Sequence, residues 1–103
     1  MARTLKWTEA ATWDLSEAAA FIARDSPFYA AALVREARAA ARSLKSFSER
    51  GRIVPEARSP DVREIYVKSY RLIYRITPEG IVIVAFVHGA RDLQRLWESR
   101  DPN

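Results

Sequence analysis

The chain has 103 residues, of which 49% are hydrophobic and 29% are charged. This length suits one folded domain and excludes two independent cores, while the composition excludes a disordered tail. With 17 Lys and Arg against 13 Asp and Glu, the net charge is +4, which favours a phosphate-rich or acidic partner as much as it favours simple solubility.

Cysteine is absent, which excludes disulfides, thiolate catalysis and Cys-rich zinc sites and suits a reducing compartment. Residues 1–7 lack the apolar run of a secretory signal, and the longest strongly apolar stretch, residues 81–87, is too short to cross a bilayer. We therefore expect a soluble, cytoplasmic protein whose residues 1–103 form a single domain.

Two helices follow a short N-terminal strand in the predicted structure. Leu5 and Trp7 alternate with polar residues and predict a strand over residues 3–7. Thr8 is a typical N-cap, and the apolar spacing after it predicts a helix to about residue 25. Ser26 and Pro27 start a second helix, which extends to about residue 47. Beside its apolar stripe this helix carries a basic stripe: Arg35, Arg38, Arg42 and Lys45.

The second half of the chain predicts strands. Residues 46–61 contain a Gly and two Pro and indicate a long connecting loop. Strands follow at residues 63–67, 70–76 and 81–87, and a partly helical tail covers residues 90–103. The last strand is apolar on both faces and should be the best buried. This order predicts an α+β domain in which a helical hairpin packs on one face of a small sheet containing a three-stranded antiparallel meander.

Three segments, in this order, resemble the RelE/ParE superfamily of toxins and its ParE branch in particular. They are LKWTEAATWDLSEAAAFIARDSP, then GRIVPE followed by VREIYVKSYRLIYRI, and finally IVIVAFVHGARDL. The likeness covers roughly residues 3–93, nearly the whole chain. The resemblance implies the RelE/ParE toxin fold and a cytoplasmic, plasmid-stabilisation type of toxin, neutralised by a cognate antitoxin in a hetero-oligomeric complex. It leaves two targets open, because ParE-like members poison DNA gyrase whereas RelE-like members cut messenger RNA in the ribosome.

Ribonuclease chemistry requires a base for the 2′-hydroxyl, cations for the developing charge and an acid for the leaving oxygen. Arg71 and Arg91 match the arginines of the family's Tyr-Arg strand and final turn, and either can hold a phosphate. With Glu64 as base and His88 as acid, the alternative catalytic set is Glu64, Arg71, His88 and Arg91.

The RelE-like pattern is incomplete, however. Glu64 and Tyr66 stand where RelE-like enzymes carry a pair of lysines, and Trp97 falls where a tyrosine acid belongs. The phosphate-binding half is thus present while the acid–base half is doubtful. We therefore expect a toxin that binds DNA gyrase and blocks replication without catalysis, the alternative being a ribosome-dependent mRNA endoribonuclease.

The expected target-binding surface is the open sheet face with the turn after the last strand: Arg71, Arg75, His88, Arg91 and Trp97. Simpler structural roles are also open. The arginines of the sheet and the basic stripe can be merely solvated, Trp7 and Trp13 are expected at the junction of the first helix with the sheet, and Leu93, Leu96 and Trp97 are spaced to pack back on the domain. No cofactor or metal is expected, because one histidine without clustered carboxylates is poor ligand material.

Overall fold

The computed structural model describes residues 3–100. Its elements are β1 (Thr4–Trp7), α1 (Glu9–Ala23), α2 (Pro27–Ser43), β2 (Arg52–Ile53), a 3₁₀ turn (Pro55–Ala57), β3 (Val62–Val67), β4 (Tyr70–Ile76), β5 (Gly80–His88) and α3 (Leu93–Arg100). The end of the predicted tail, residues 101–103, and the first two residues of the predicted domain lie outside the described residues. Within residues 3–100, no helix is long and apolar enough to cross a membrane.

The helical hairpin begins and breaks where its capping residues predict. The Thr8 hydroxyl accepts a hydrogen bond from the Ala11 amide at 3.0 Å, and the Ser26 hydroxyl accepts one from the Tyr29 amide at 3.2 Å. Helix α2 ends at Ser43, short of the predicted residue 47, because the amides after it bond three residues back in tight turns. The Ser43 hydroxyl also donates to the Ala40 carbonyl at 2.6 Å.

Five strands form one sheet in the order β1-β5-β4-β3-β2. The predicted meander of β3, β4 and β5 is antiparallel, and β1 lies parallel to β5, with Leu5 beside Ile81 and Trp7 beside Ile83. The sequence prediction missed β2, whose two exposed residues pair with β3, because so short a segment carries no periodic pattern. Gly80 opens β5 where an added Cβ would collide with the Thr4 backbone.

The hairpin packs on one face of the sheet, as predicted. Its inward residues meet the β-strands in a core of buried side chains, formed by Ala11, Leu15, Ala18, Leu33, Ala37, Ala41, Leu44, Ile65, Val67, Leu72, Tyr74, Ile81, Ile83 and Phe86. Trp7 packs against this core, whereas the prediction for Trp13 is wrong, since that side chain is 64% exposed. Trp13 is two helical steps after the inward Ala11. At about 100° per step, its side chain therefore points to the opposite side of the helix, toward solvent.

The opposite face of the sheet is not open, which corrects the sequence prediction. A second core of Val54, Val62, Ile73, Ala85, Val87, Leu93 and Trp97 covers it. Leu93 and Trp97 come from α3 and are 2% and 7% exposed, so the expectation that the tail packs back on the domain is confirmed. An irregularity in β5 brings Ile83 and Phe86 to the same face: Ile73 faces Ala85 but Tyr74 faces Ile83, which leaves Val84 as a bulge.

Candidate functional site

The predicted site residues lie at different places on the sheet rather than on one surface. Glu64 and Arg71 lie on the face covered by α3, whereas His88 points to the face of the helical hairpin, beside the Tyr70 ring. Glu64 pairs through Ile73 with Ala85, three residues before His88. From the usual strand spacing and rise, the two Cα atoms are roughly 14 Å apart. Glu64 and His88 are therefore not arranged as an acid–base pair.

Glu64 is the centre of a buried Arg–Glu cluster formed with Arg52, Arg71 and Glu56. Its Oε1 accepts from Nε and Nη2 of Arg71, both at 2.6 Å, and its Oε2 accepts from Nε of Arg52 at 2.5 Å. Arg71 also lies 3.6 Å from Oε1 of Glu56. The fork of Arg71 thus engages one carboxylate oxygen through two nitrogens, and both oxygens of Glu64 are occupied.

Burial fixes the character of this cluster. The side chain of Glu64 is fully buried and that of Arg71 is 8% exposed, while Arg52 covers the cluster from solvent. The hydrogen bond to Glu64, and then its charge, raise the pKa of Arg52. The interpretation of Arg71 as a solvated residue is therefore wrong, and its guanidinium is already committed to a carboxylate. Arg52 was missed in the sequence, because pairing across two strands has no local signature.

His88 and Arg91 border a pocket at the end of the sheet, which we call the end pocket. It holds about 360 Å³ between the first half of α1, the ends of β4 and β5 and the turn before α3, and is lined by Trp13, Asp14, Glu17, Ala18, Tyr70, Phe86, Val87, His88, Arg91 and Arg100. The rings of Tyr70 and Phe86 stack with centroids 5.0 Å apart, and Tyr70 meets His88 edge-on at 5.4 Å. These aromatic neighbours were not recognised from the sequence.

A hydrogen bond orients the imidazole of His88 in this pocket. The amide of Ala90 donates to Nδ1 of His88 at 3.2 Å. In the neutral ring the proton must then be on Nε2, which makes Nε2 a donor toward solvent. His88 and Arg91 are both exposed, so this half of the predicted target surface is accessible.

The floor of the end pocket is closed by an ion pair between Asp14 of α1 and Arg100 of α3. Nη2 of Arg100 donates to Oδ1 of Asp14 at 2.8 Å, Nη1 contacts Oδ2, and Oδ2 accepts the amide of Phe86 at 3.0 Å. The hydrogen bond to Asp14, opposed by burial, raises the pKa of Arg100. Because these partners are 86 residues apart in sequence, no spacing rule predicts their contact.

The remaining two predicted contact residues lie elsewhere, on the α3 side. Trp97 is buried, with the guanidinium of Arg75 5.9 Å from its ring centroid. Both border a wide cleft of about 860 Å³ with Arg58 and Arg100. The structure thus brings His88 and Arg91 together, and separately Arg75 and Trp97, while Arg71 belongs to the Arg–Glu cluster. In residues 3–100, no three His, Cys, Asp or Glu residues are grouped to hold a metal ion.

A groove lies between α1, α2 and the Trp7 end of β1, with Arg38 at its border. It encloses about 520 Å³ and is lined by Trp7, Thr12, Leu15, Ser16, Ala19, Val34 and Arg38. The basic stripe is exposed, with Arg35, Arg38 and Arg42 on α2 and Lys45 in the turn after it. Arg38 joins the stripe to the groove. This hairpin groove is suited to an amphipathic partner segment with acidic residues.

Comparisons with known proteins agree with this fold. A family model described as the ParE toxin of type II toxin-antitoxin systems matches residues 5–93. The structure resembles one described as the chromosomal ParDE toxin-antitoxin system from P. aeruginosa, with a TM-score of 0.68 and 21% identity over 84% of this chain and 95% of that chain. It also resembles the toxin-antitoxin complex RelBE2 from Mycobacterium tuberculosis, with a TM-score of 0.55 and 26% identity over 85% and 99%. No curated protein gives a significant sequence match.

Proposed function

The chain belongs to the ParE toxin family of type II toxin-antitoxin systems, and from this premise we propose that it inhibits DNA gyrase and blocks replication by binding alone. The family assignment confirms the resemblance carried by the three sequence segments. A binding toxin needs an accessible contact surface, and it needs no base or acid of its own.

The burial of Glu64 is the observation that carries this proposal. A general base must come within hydrogen-bond reach of the proton that it removes. Glu64 has no exposed side-chain surface, and arginines occupy both of its oxygens. His88, the proposed acid, lies on the other face of the sheet. The alternative catalytic set therefore lacks a usable base, whereas His88 and Arg91 remain exposed for contact with a target.

The proposal includes a cognate antitoxin that joins the chain in a cytoplasmic hetero-oligomeric complex. Two of the structures that it resembles are described as a toxin-antitoxin system and a toxin-antitoxin complex. The hairpin groove supports such a partner, because an apolar floor beside the exposed basic stripe matches an amphipathic, acidic segment. An antitoxin seated there would also shield the cationic side of α2.

A gyrase supercoiling assay with the purified chain tests this proposal. We expect loss of supercoiling and accumulation of cleaved DNA, reversed when the antitoxin is added first. Arg91→Ala should weaken the inhibition, while Arg35→Ala, an exposed arginine outside the end pocket, should not. Undisturbed supercoiling with no trapped cleavage complex at a large excess of toxin would contradict the proposal.

The alternative is a RelE-like, ribosome-dependent endoribonuclease, which the similarity to the RelBE2 complex favours. Its test is cutting of messenger RNA at codon boundaries in a translating extract. Under this alternative, His88→Ala should abolish cutting. In cells that express the chain, pulse labelling separates the two functions: DNA synthesis falls first if gyrase is the target, and protein synthesis falls first if messenger RNA is.

A further inference from the structure

The end pocket presents aromatic surface that the fold does not bury. Trp13 is 64% exposed at its mouth, although an indole is among the most valuable side chains to bury. Tyr70 is half-buried and also lines the pocket, where its ring stacks on the buried Phe86 and meets His88 edge-on. A pocket of about 360 Å³ is at the small end for a ligand site and suits one planar ring system.

The polar groups around these rings include both hydrogen-bond donors and hydrogen-bond acceptors. In the neutral ring of the exposed His88, Nε2 is the donor, because the amide of Ala90 holds Nδ1. The carboxylate of Glu17 and the guanidinium of Arg91 form no ion pair among residues 3–100, and both are exposed. Asp14 and Arg100 neutralise each other. The pocket therefore offers an acceptor at Glu17 and cationic donors at Arg91, both exposed at a pocket that the Trp13 indole also lines.

Arg91 also connects the end pocket to a second cavity. This neighbour holds about 390 Å³ and is lined by Arg91, Asp92, Arg95, Leu96 and Ser99. Arg91 and Arg95 are four residues apart, with Arg95 exposed on the first turn of α3. Asp92 opposes them in charge, but its Oδ1 caps α3 by accepting the amide of Arg95. Two successive anionic groups can thus pass over Arg91 and Arg95 beside one ring in the pocket.

We propose that the end pocket binds one unstacked nucleotide of single-stranded DNA, with the base on Trp13 and the phosphates over Arg91 and Arg95. Aromatic rings beside arginines are the usual means of binding single strands, since every base has a face to stack. Glu17 would accept hydrogen bonds from the amino edge of a base, and Nε2 of His88 would donate to a carbonyl or phosphate oxygen.

This inference deepens the proposed function and rests on it for its biological meaning. A toxin that traps cleaved DNA acts where a duplex is interrupted, and the bases at an interruption are the least held by stacking. The end pocket would then recognise the DNA part of the gyrase complex rather than the enzyme alone.

Binding of a fluorescein-labelled 12-nucleotide single-stranded DNA, followed by anisotropy, tests the site directly. We expect saturable binding that Trp13→Ala weakens about 5- to 150-fold, the range measured for loss of one stacking contact. Trp13→Phe should restore part of the affinity. Phe21→Ala is the matched control, since Phe21 is equally exposed at 64% on the same helix and outside the pocket; it should change affinity less than twofold.

The salt dependence tests the role of Arg91. For single strands the slope of log affinity against log salt is about 0.7 per phosphate neutralised, so Arg91→Ala should reduce it by about that amount and Arg35→Ala should not. Equal loss of affinity for Trp13→Ala and Phe21→Ala, or no saturable binding, would overturn the site. So would a Trp13→Ala variant that loses binding to DNA-free gyrase but keeps the oligonucleotide, because the pocket would then be a protein contact.

An RNA strand of the same sequence tests whether the pocket prefers DNA. Tighter binding of the DNA strand than of the RNA strand supports both the nucleotide site and a DNA target. RNA binding with unchanged Trp13 dependence supports a nucleotide pocket but overturns its assignment to DNA. Saturable DNA binding by a chain that leaves supercoiling undisturbed overturns gyrase inhibition alone, and inhibition without oligonucleotide binding overturns the nucleotide site alone.

Discussion

At the scale of single residues, burial decides what Glu64 can do. Each of its carboxylate oxygens accepts charge-assisted hydrogen bonds from an arginine, and its side chain has no exposed surface. Transfer of an isolated carboxylate into such a site would be prohibitively costly, so the site exists only because Arg71 and Arg52 accompany it. The same pairing that makes the burial possible removes Glu64 from chemistry with a substrate.

From the Arg–Glu cluster we expect Glu64→Gln to lower the free energy of unfolding strongly. Loss of the negative charge leaves Arg71 buried beside only the more distant Glu56, 3.6 Å away. We expect the free energy of unfolding to fall by about 3–5 kcal/mol, the cost of breaking a buried pair on one side, measured by urea denaturation. Glu49→Gln is the control, because Glu49 is 78% exposed and 3.8 Å from Arg63, and its loss should cost about 0–1 kcal/mol. Equal effects would show that the cluster is not buried as described.

The buried Tyr74 should make the free energy of unfolding fall at alkaline pH. Burial raises the pKa of Tyr74, an effect opposed by its hydrogen bond with the Gly51 amide and by nearby arginines. The folded state therefore holds the phenolic proton more tightly than the unfolded chain. The resulting stability is fully present below the unfolded pKa of about 10 and is lost as pH rises through the higher folded pKa.

Tyr74→Phe tests this linkage. The hydroxyl accepts from the Gly51 amide at 3.0 Å and donates to the Ser48 carbonyl at 2.7 Å, so the variant should lose about 1–3 kcal/mol of stability near neutral pH. That deficit should shrink above pH 10 when unfolding free energies of both proteins are measured to pH 11.5. Tyr66→Phe, at a ring 54% exposed, is the control; a pH-independent deficit for Tyr74→Phe would contradict the linkage.

At the scale of elements, two kinds of contact hold α3 on the domain: apolar burial of one side of the helix and an ion pair at its last turn. Leu93 and Trp97 bury one side of the helix in the second core, and Arg100 bonds the last turn to Asp14 of α1 and to the Val84 carbonyl at the bulge. Eight residues are too few for a stable isolated helix. Tertiary contacts therefore maintain α3, and with it the second core and the floor of the end pocket.

Arg100→Met should loosen α3 while the rest of the fold persists. Hydrogen bonds to a charged partner contribute about 1.5–3 kcal/mol, and their loss should appear as faster amide exchange in α3 and a red shift of Trp97 emission. Arg95→Met provides the matched comparison, since Arg95 is exposed on the same helix and its side chain bonds nothing among residues 3–100 that holds α3, so amide exchange should stay unchanged. Unaltered protection of α3 in Arg100→Met would mean that the second core alone holds the helix.

At the scale of the whole molecule, the two faces of the sheet carry different structural features. The hairpin face carries the main core and the hairpin groove, and the other face carries α3 and the Arg–Glu cluster. The end pocket lies at the edge of the hairpin face, between α1 and the end of β5. A partner in the hairpin groove and a strand of DNA in the end pocket would therefore both contact α1, on different sides of that helix.

The proposed antitoxin should stabilise the whole domain by mass action. At a free antitoxin concentration 100 times Kd the gain is about 2.7 kcal/mol, which for a domain of this size raises Tm by about 10 °C or more. Arg38→Glu at the rim of the groove should reduce this shift, whereas Arg24→Glu, exposed at the end of α1 and outside the groove, should keep it. A Tm unaffected by antitoxin would contradict the complex, and equal shifts for the two variants would place the partner elsewhere.

Local sequence rules predicted most of the elements for reasons that the structure shows. Thr8 and Ser26 cap the helices, Pro27 begins α2, and the apolar alternation in β4 separates Leu72 and Tyr74 on one face from Ile73 on the other. The same rules failed for β2, because a strand of two residues is too short to show an alternating pattern. They also failed for the end of α2, which depends on hydrogen bonds around Ser43. The candidate site was predicted only in part, as His88 and Arg91, without the rings that complete their pocket.

The sequence by itself determined the fold class, the order of the main elements and the family resemblance, because capping, periodicity and motif order act between neighbours in the chain. It did not predict β2 or the second core on the other face of the sheet. Only the tertiary structure decided which of the charged residues are available. It buried Arg71 against Glu64, turned His88 to the opposite face, exposed Trp13 and joined Asp14 to Arg100. Those outcomes depend on register, on one bulge at Val84 and on contacts up to 86 residues apart, and a side chain's chemistry follows from the neighbours that such contacts bring to it.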